Sequence, residues 1–236
     1  MSDAAPRPPG FVSASLAIAQ KDLRIEGRTK ETTLATVLFA LVVLVVFAFA
    51  FGGDAVQRAG AGTIVPGVVW VTLAFSGIVG FTRSFRLERE DDALAAVALA
   101  PVDRGAVFAG KALANFVLLT ALETALFPLT SVLLDVPLLA AAAPLALVVP
   151  LHTVGLACLG TLFGAVVSRL QRGEALLATL MLPAATPLFL SAVHCTASAI
   201  EGTPLAADRH WLLLIGGLDV LYVLVALLLF DAILED

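Results

Sequence analysis

The chain has 236 residues and a formal net charge of −5, and 60% of its residues are hydrophobic while only 14% are charged. Soluble domains contain roughly 25% charged residues, so the composition excludes a water-soluble protein and favours one polytopic membrane domain over residues 1–236. Cys158 and Cys195 lie in apolar stretches without Cys-x-x-Cys spacing, which supports neither a zinc site nor a disulfide framework.

Residues 11–28 predict an amphipathic helix before the first membrane span. Apolar residues such as Phe11 and Leu16 are followed by a basic end that includes Lys21 and Arg28. The segment is too short and too charged to span, and it suits a helix in the headgroup region with its basic end toward anionic lipid. The alternative is an extension of the first span into the cytoplasm.

Six apolar stretches are long enough to cross a bilayer, because eighteen residues at about 1.5 Å each give roughly 27 Å, close to the hydrocarbon thickness. They cover residues 34–51, 63–81, 106–134, 138–167, 175–193 and 211–233. The fifth stretch is interrupted by Pro183 and Pro187, and residues 194–210 are predicted to form a mixed loop. The expected fold class is all-α, with six transmembrane helices, the interfacial helix and one short cytoplasmic helix.

The basic residues predict the orientation of the chain. With six spans both termini lie on one side of the membrane. If that side is the cytoplasm, the inner segments hold twelve Lys and Arg residues and the outer loops hold only Arg58 and Arg209. Cytoplasmic loops carry an excess of Lys and Arg, so both termini are predicted to be cytoplasmic.

A dense charge run lies on this inner side, in the segment 83–103 between the second and third spans. It mixes both signs up to Asp92, and an apolar turn ended by a proline follows. Most charge runs are solvated helix faces, but the inner location, the mixed signs and the apolar turn favour docking of a soluble protein. The residues predicted to couple the chain to that partner are Arg83, Phe85, Arg86, Glu88, Glu90, Leu94, Val97 and Pro101.

Residues 105–112 nearly match a phosphate-binding loop. Position 112 is alanine, so no hydroxyl can hold magnesium there, and no strand precedes the glycines. The segment is instead predicted to open the third span, with Asp103 as N-cap and Lys111 extending to the inner interface. The chain therefore has no visible energy source and is predicted not to be an enzyme.

Ionisable side chains inside the spans are candidate functional residues, because a charge there costs about 2.5–3.5 kcal/mol on insertion scales. Glu123 is either functional or a protonated group bonded to a neighbouring helix. His152 either lines a ligand path or is a hydrogen-bonded buried imidazole, and Asp219 leaves the same alternatives. With Pro66 and Trp70, Glu123 and His152 form the predicted substrate path. Trp70 would stack on a flat apolar ligand or face lipid as an anchor.

Two further features leave alternatives open. Gly160 and Gly164 are spaced for close helix approach, and packing within the chain is favoured over a subunit interface. His194 and Cys195, with His210, are able to ligate haem iron or another metal, although histidines in outer loops are usually only solvated.

Short motifs occur in order along nearly the whole chain. They are Lys21–Glu26, Phe47–Gly52, Pro66–Trp70, the set Arg83, Phe85, Glu88 and Glu90, the set Leu99, Pro101, Arg104 and Lys111, the pair Gly155 and Gly160, and Leu182–Leu188. In this order they resemble the haem exporter B subunit family (CcmB). Residues 6–10 and 195–209 have no clear counterpart.

The resemblance implies an ABC-2 type exporter fold and the role of a non-catalytic permease in c-type cytochrome maturation, in the bacterial inner membrane. It implies a cytoplasmic ABC ATPase that holds the ATP, a second copy of this chain, membrane subunits that handle haem, and a periplasmic haem chaperone. Coupling would fall on residues 83–101. Haem is the expected transported ligand, with no cofactor or metal held by this chain and no nucleic-acid partner.

Two rival functions stay open. One is an ABC-2 permease for another lipid-like substrate, which shares every physical feature above. The other is a scaffold that holds a haem-handling complex together without translocating anything. A secondary transporter is less favoured, because inverted repeats and paired membrane acids are not evident.

Overall fold

The computed structural model describes residues 10–51, 54–90, 102–168, 170 and 173–235. Within these residues the backbone is helical almost throughout and contains no strand. The eight α-helices are α1 (Phe11–Thr29), α2 (Glu31–Phe51), α3 (Asp54–Ala59), α4 (Ala61–Glu90), α5 (Arg104–Leu133), α6 (Ala142–Ser168), α7 (Gly173–Ile200) and α8 (Arg209–Glu235). Short 3₁₀ turns, Leu138–Ala141 and Leu205–Asp208, precede α6 and α8.

Six helical segments of the described chain are long and apolar enough to cross a membrane, which confirms the predicted all-α class and the number of spans. They are Glu31–Phe51, Ala61–Arg83, Arg104–Leu133, Leu138–Ser168, Leu176–Ile200 and Leu205–Leu229. In the fourth span 67% of the most apolar window is buried inside the protein, against 17% in the first and the sixth. The fourth span is therefore central, and α2 and α8 present most of their surface to the outside of the bundle.

The core forms where α4 and α7 pack on the central helix α6. Leu73, Leu156 and Leu188, one from each helix, are fully buried there. The ring of Phe81 on α4 lies so close to Gly160 on α6 that a Cβ at Gly160 would overlap it. Gly160 therefore serves packing within the chain, which was the favoured alternative.

Helix α7 corrects one expectation. It continues without a break through Pro183 and Pro187 to Ile200, so the prediction of a loop that begins at His194 is wrong. Prolines are tolerated in membrane helices. The last turns contain several polar residues, but one face of them is buried. That face consists of Ala192, Cys195, Thr196 and Ala199, which recur at the spacing of a helix.

Helix α1 packs along α5 through small residues. The backbone of Ser15 and the side chain of Ile18 lie against Gly110 of α5. Lys111 is only 4% exposed, and its Nζ lies 3.4 Å from a carboxylate oxygen of Asp22 on α1. The prediction that Lys111 reaches out to the interface is therefore wrong, because α1 covers it. Phe11 on α1 stays exposed, which suits an interfacial helix, and that placement stays a prediction.

Candidate functional site

Four rings from four different spans form an aromatic cluster in the centre of the bundle: Trp70 of α4, Phe127 of α5, His152 of α6 and Phe189 of α7. The ring of His152 lies 4.2 Å from that of Trp70 and 4.9 Å from that of Phe189. Phe127 meets Trp70 edge-on at 6.2 Å. Edge-on and tilted contacts of this kind are favourable arrangements for aromatic rings, so the cluster joins the four spans.

Trp70 is held inside the bundle by a hydrogen bond. Its indole nitrogen donates to Oγ1 of Thr196 on α7 at 3.0 Å, and the side chain is 1% exposed. The alternative in which Trp70 faces lipid as an anchor is therefore wrong. A ligand could stack on the indole only if α4 moved away from α6 or α7.

His152 is fully buried, and neither of its ring nitrogens has a hydrogen-bond partner in the described part of the protein. The alternative of a hydrogen-bonded buried imidazole is thus wrong, and the ring makes tilted contacts with the rings of Trp70 and Phe189 instead. A buried polar atom without a partner costs about 1–3 kcal/mol. Such a cost at the centre of the bundle favours a functional reason for a histidine here.

Glu123 of α5 lies beside this cluster and is 2% exposed. Oγ1 of Thr153, the neighbour of His152 on α6, lies 2.7 Å from Oε1 and 2.8 Å from Oε2 of Glu123. The same hydroxyl lies 2.7 Å from the carbonyl oxygen of Val149. One of the two alternatives for Glu123, a hydrogen bond to a neighbouring helix, is therefore present, and a function for the carboxyl group stays a prediction.

The other two candidate residues, Pro66 and Asp219, do not take part in these contacts. Pro66 is buried one helical turn before Trp70 on α4, which places both on one face of that helix. Asp219 of α8 is 7% exposed and lies with Oδ1 against Gly155 of α6. The structure thus brings Trp70 and His152 into contact, with Glu123 beside them.

Sequence reasoning missed Thr153 and Thr196, which hold Glu123 and Trp70 in place. A threonine in a membrane helix commonly donates to the carbonyl group one turn before it. Thr72 and Thr130 do this in the same bundle. Nothing in the local sequence distinguishes a threonine that contacts another helix from one that bonds within its own helix.

The second span continues into the charge run as one helix. The span ends at Arg83, but α4 extends to Glu90, and seven residues add about 10 Å of helix. The predicted coupling residues fall into two groups, Arg83, Phe85, Arg86, Glu88 and Glu90 on this extension, and Leu94, Val97 and Pro101 outside the described residues. Their coupling role stays a prediction.

The segment that resembles a phosphate-binding loop is the first turns of α5. The backbone N–H of Ala106 donates to Oδ1 of Asp103 at 3.3 Å, which confirms Asp103 as the N-cap. Residues 105–112 are helical and mostly buried. Their backbone N–H groups beyond the first turn are used in the helix, so they are not free to surround a phosphate group.

The six apolar helices define a multi-pass membrane protein. A family model described as CcmB protein matches residues 13–235. The chain therefore belongs to the CcmB family, which confirms the resemblance drawn from its ordered motifs.

Three curated relatives, each called heme exporter protein B, cover most of the chain. The protein of Bradyrhizobium diazoefficiens is 28% identical over 191 residues, which are 81% of this chain and 84% of the relative. That of Rhodobacter capsulatus is 32% identical over 79% of this chain and 84% of the relative. That of Paracoccus denitrificans is 34% identical over 74% of this chain and 78% of the relative.

Proposed function

We propose that this chain is the membrane permease subunit of an ATP-driven complex that exports haem for the maturation of c-type cytochromes. The observation that carries the proposal is the CcmB family match over nearly the whole chain. Relatives named for haem export align with 81% and 79% of the chain. The complex would lie in the bacterial inner membrane, with both termini of this chain in the cytoplasm as the distribution of Lys and Arg favours.

The proposed partners follow from the family and from the start of α5, which does not form a phosphate-binding loop. A separate cytoplasmic ABC ATPase would bind and hydrolyse ATP, because residues 105–112 form a helix start rather than a phosphate loop. A second copy of the chain would pair with a second ATPase subunit. Further membrane subunits would handle haem and pass it to a periplasmic haem chaperone.

Helix α4 connects the proposed coupling segment to the aromatic cluster. It is one helix from Ala61 to Glu90, and Trp70 lies about 30 Å from Glu90 along its axis. ATP binding would close the ATPase dimer and push on segment 83–101. Because a helix transmits such a push along its length, Trp70 would shift relative to its partners on α6 and α7.

Movement of Trp70 would open the aromatic cluster to a flat ligand. In the present arrangement the indole makes a tilted contact with His152 and donates a hydrogen bond to Thr196, and these contacts close the interior. Separation of α4 from α6 and α7 would expose ring faces that suit a planar apolar macrocycle. This is the step in which haem, or a haem-bearing neighbour, would engage the permease.

Deletion of the gene tests the proposal. The deletion strain is expected to lack holo forms of all c-type cytochromes, measured by haem staining of membrane and periplasmic fractions, while b-type haem proteins keep normal levels. The wild-type chain supplied from a plasmid should restore haem staining. Normal c-type cytochromes in the deletion strain would contradict haem export and favour another lipid-like substrate. Normal levels of c-type cytochromes in a strain whose ATPase cannot hydrolyse ATP would favour the scaffold function.

Glu123→Gln is expected to lower holocytochrome levels severely while membrane insertion and assembly stay normal. Glutamine keeps the size of the side chain and can still bond to Thr153, but it cannot exchange a proton. The measurement is haem staining normalised to the amount of inserted chain. Thr153→Ser, which keeps the hydroxyl, is the control and should be active. Full activity of Glu123→Gln would assign the carboxyl group to packing alone.

A further inference from the structure

The other two histidines of the chain lie at the end of the bundle opposite to the extension of α4. Glu201, just after α7, lies against Gly62 near the start of α4, whereas the coupling extension is at the other end of α4. His194 of α7, Asp208 of the 3₁₀ turn before α8, and His210 and Trp211 of α8 gather at this outer end. We call these four residues the outer histidine cluster.

His194 is oriented by two contacts. Its Nδ1 lies 3.4 Å from Oδ1 of Asp208, and its ring stacks on Trp211 at 4.9 Å with an interplanar angle of 25°. Asp208 is 4% exposed, and its Oδ2 has no partner in the described part of the chain. A carboxylate at Nδ1 favours the tautomer with the proton on Nδ1, so that Nε2 carries a lone pair.

The His194 side chain remains accessible, since 50% of its surface is exposed. An imidazole fixed by a carboxylate on one nitrogen and accessible elsewhere is the usual arrangement of a histidine that binds a metal. Cys195 next to it in sequence is fully buried, so its thiol does not share this exposed position. Of these two neighbouring residues, only His194 offers an accessible ligand atom.

The number of metal-binding side chains near His194 decides which kind of ligand the site can hold. No group of three or more His, Cys, Asp or Glu side chains able to hold a metal ion occurs among the described residues, and a bare zinc ion needs three or four protein ligands. Haem brings four nitrogen ligands of its own, so one imidazole in an axial position is sufficient. The cluster therefore fits an iron porphyrin rather than a free ion.

The surroundings of His194 fit the rest of that molecule. Leu190, one helical turn earlier on the same face of α7, is 58% exposed and offers apolar surface to a macrocycle. Arg209 is exposed at the start of α8 and can pair with a propionate carboxylate. We propose that Nε2 of His194 is an axial ligand of haem iron at the outer end of the bundle. This inference rests on the proposed haem export function.

The test is a titration of the purified chain, in lipid nanodiscs, with haemin and separately with metal-free protoporphyrin IX. Wild type should show a Soret shift with haemin that saturates at one haem per chain. His194→Ala should lose the shift, and Asp208→Asn should weaken haemin binding about tenfold or more, as loss of an orienting carboxylate does. Metal-free protoporphyrin should partition equally into all variants, because it has no iron.

His210→Ala is the matched control, since it removes the other exposed histidine of the cluster and should keep the ligation spectrum. In His194→Gly, imidazole added below the concentration that ligates haemin in empty nanodiscs should restore the shift, which a merely structural role of His194 would not allow. Unchanged helix content by circular dichroism checks the fold. A wild-type titration curve for His194→Ala, or a shift lost in His210→Ala alone, would overturn the proposal. If His194 proved not to bind iron, loss of c-type cytochromes on gene deletion would still support the haem export function. The two experiments therefore test the site and the function separately.

Discussion

Replacement of both Leu94 and Val97 by aspartate is expected to abolish association with the ATPase subunit while the chain still inserts into the membrane. The two side chains belong to the apolar turn of segment 83–103, which is predicted to lie on the inner side, and we expect them to enter a groove of the partner. Burial of an unpaired carboxylate costs several kcal/mol, and every 1.4 kcal/mol lowers affinity about tenfold. Two such charges should reduce the affinity for the ATPase by roughly a hundredfold or more. The measurement is the amount of ATPase that co-purifies with the tagged chain from native membranes.

The control for this experiment is the pair Leu94→Met and Val97→Ile, which keeps the apolar surface and should keep the ATPase. Both variants must reach the membrane fraction in equal amount. If the aspartate variant still carries a normal amount of ATPase, the apolar turn does not dock the ATPase, and the extension of α4 would be the next region to test.

Gly160→Ala is expected to destabilise the bundle by about 1–3 kcal/mol, the usual cost of overpacking. A Cβ at this position would overlap the ring of Phe81, which is 2% exposed. The contact joins α4 to the central helix α6, so loss of close packing there should also weaken activity. Thermal unfolding of the purified chain in detergent measures the effect.

Gly67→Ala is the matched control, because a Cβ built at Gly67 meets no atom within 4 Å apart from its chain neighbours and its own helix backbone, and the variant should unfold like wild type. The double variant Gly160→Ala with Phe81→Leu should recover most of the lost stability, since the smaller side chain leaves room for the methyl group. If Gly160→Ala unfolds at the same temperature as Gly67→Ala, the close approach of α4 and α6 does not determine stability.

The class of fold could be predicted from the sequence because the signal is local. Long apolar stretches of eighteen residues or more are sufficient to identify spans, and the basic residues favour one orientation. The N-cap role of Asp103 at the start of α5 is likewise a local feature, since an N-cap bonds to a backbone group three residues away. Each of these features needs information from one short segment only.

The features that sequence analysis missed depend on which helices are neighbours. Lys111 was expected at the interface because its sequence does not show that α1 covers it and supplies Asp22. His194 was assigned to a loop because its polar neighbours hide a buried face of α7 that only packing reveals. Trp70 and His152 are 82 positions apart by their numbers, and only the arrangement of α4 on α6 brings their rings together.

The central claim is that a nucleotide-driven partner acts on this membrane bundle through the segment that follows α4 on the inner face. The most direct measurement places a photo-crosslinking amino acid at position 98, in that segment, in living cells. The account predicts an adduct with an ABC ATPase subunit, which mass spectrometry would identify. It would be contradicted if no protein were crosslinked there, or if a membrane-impermeant reagent labelled a cysteine at the same position from outside the cell membrane.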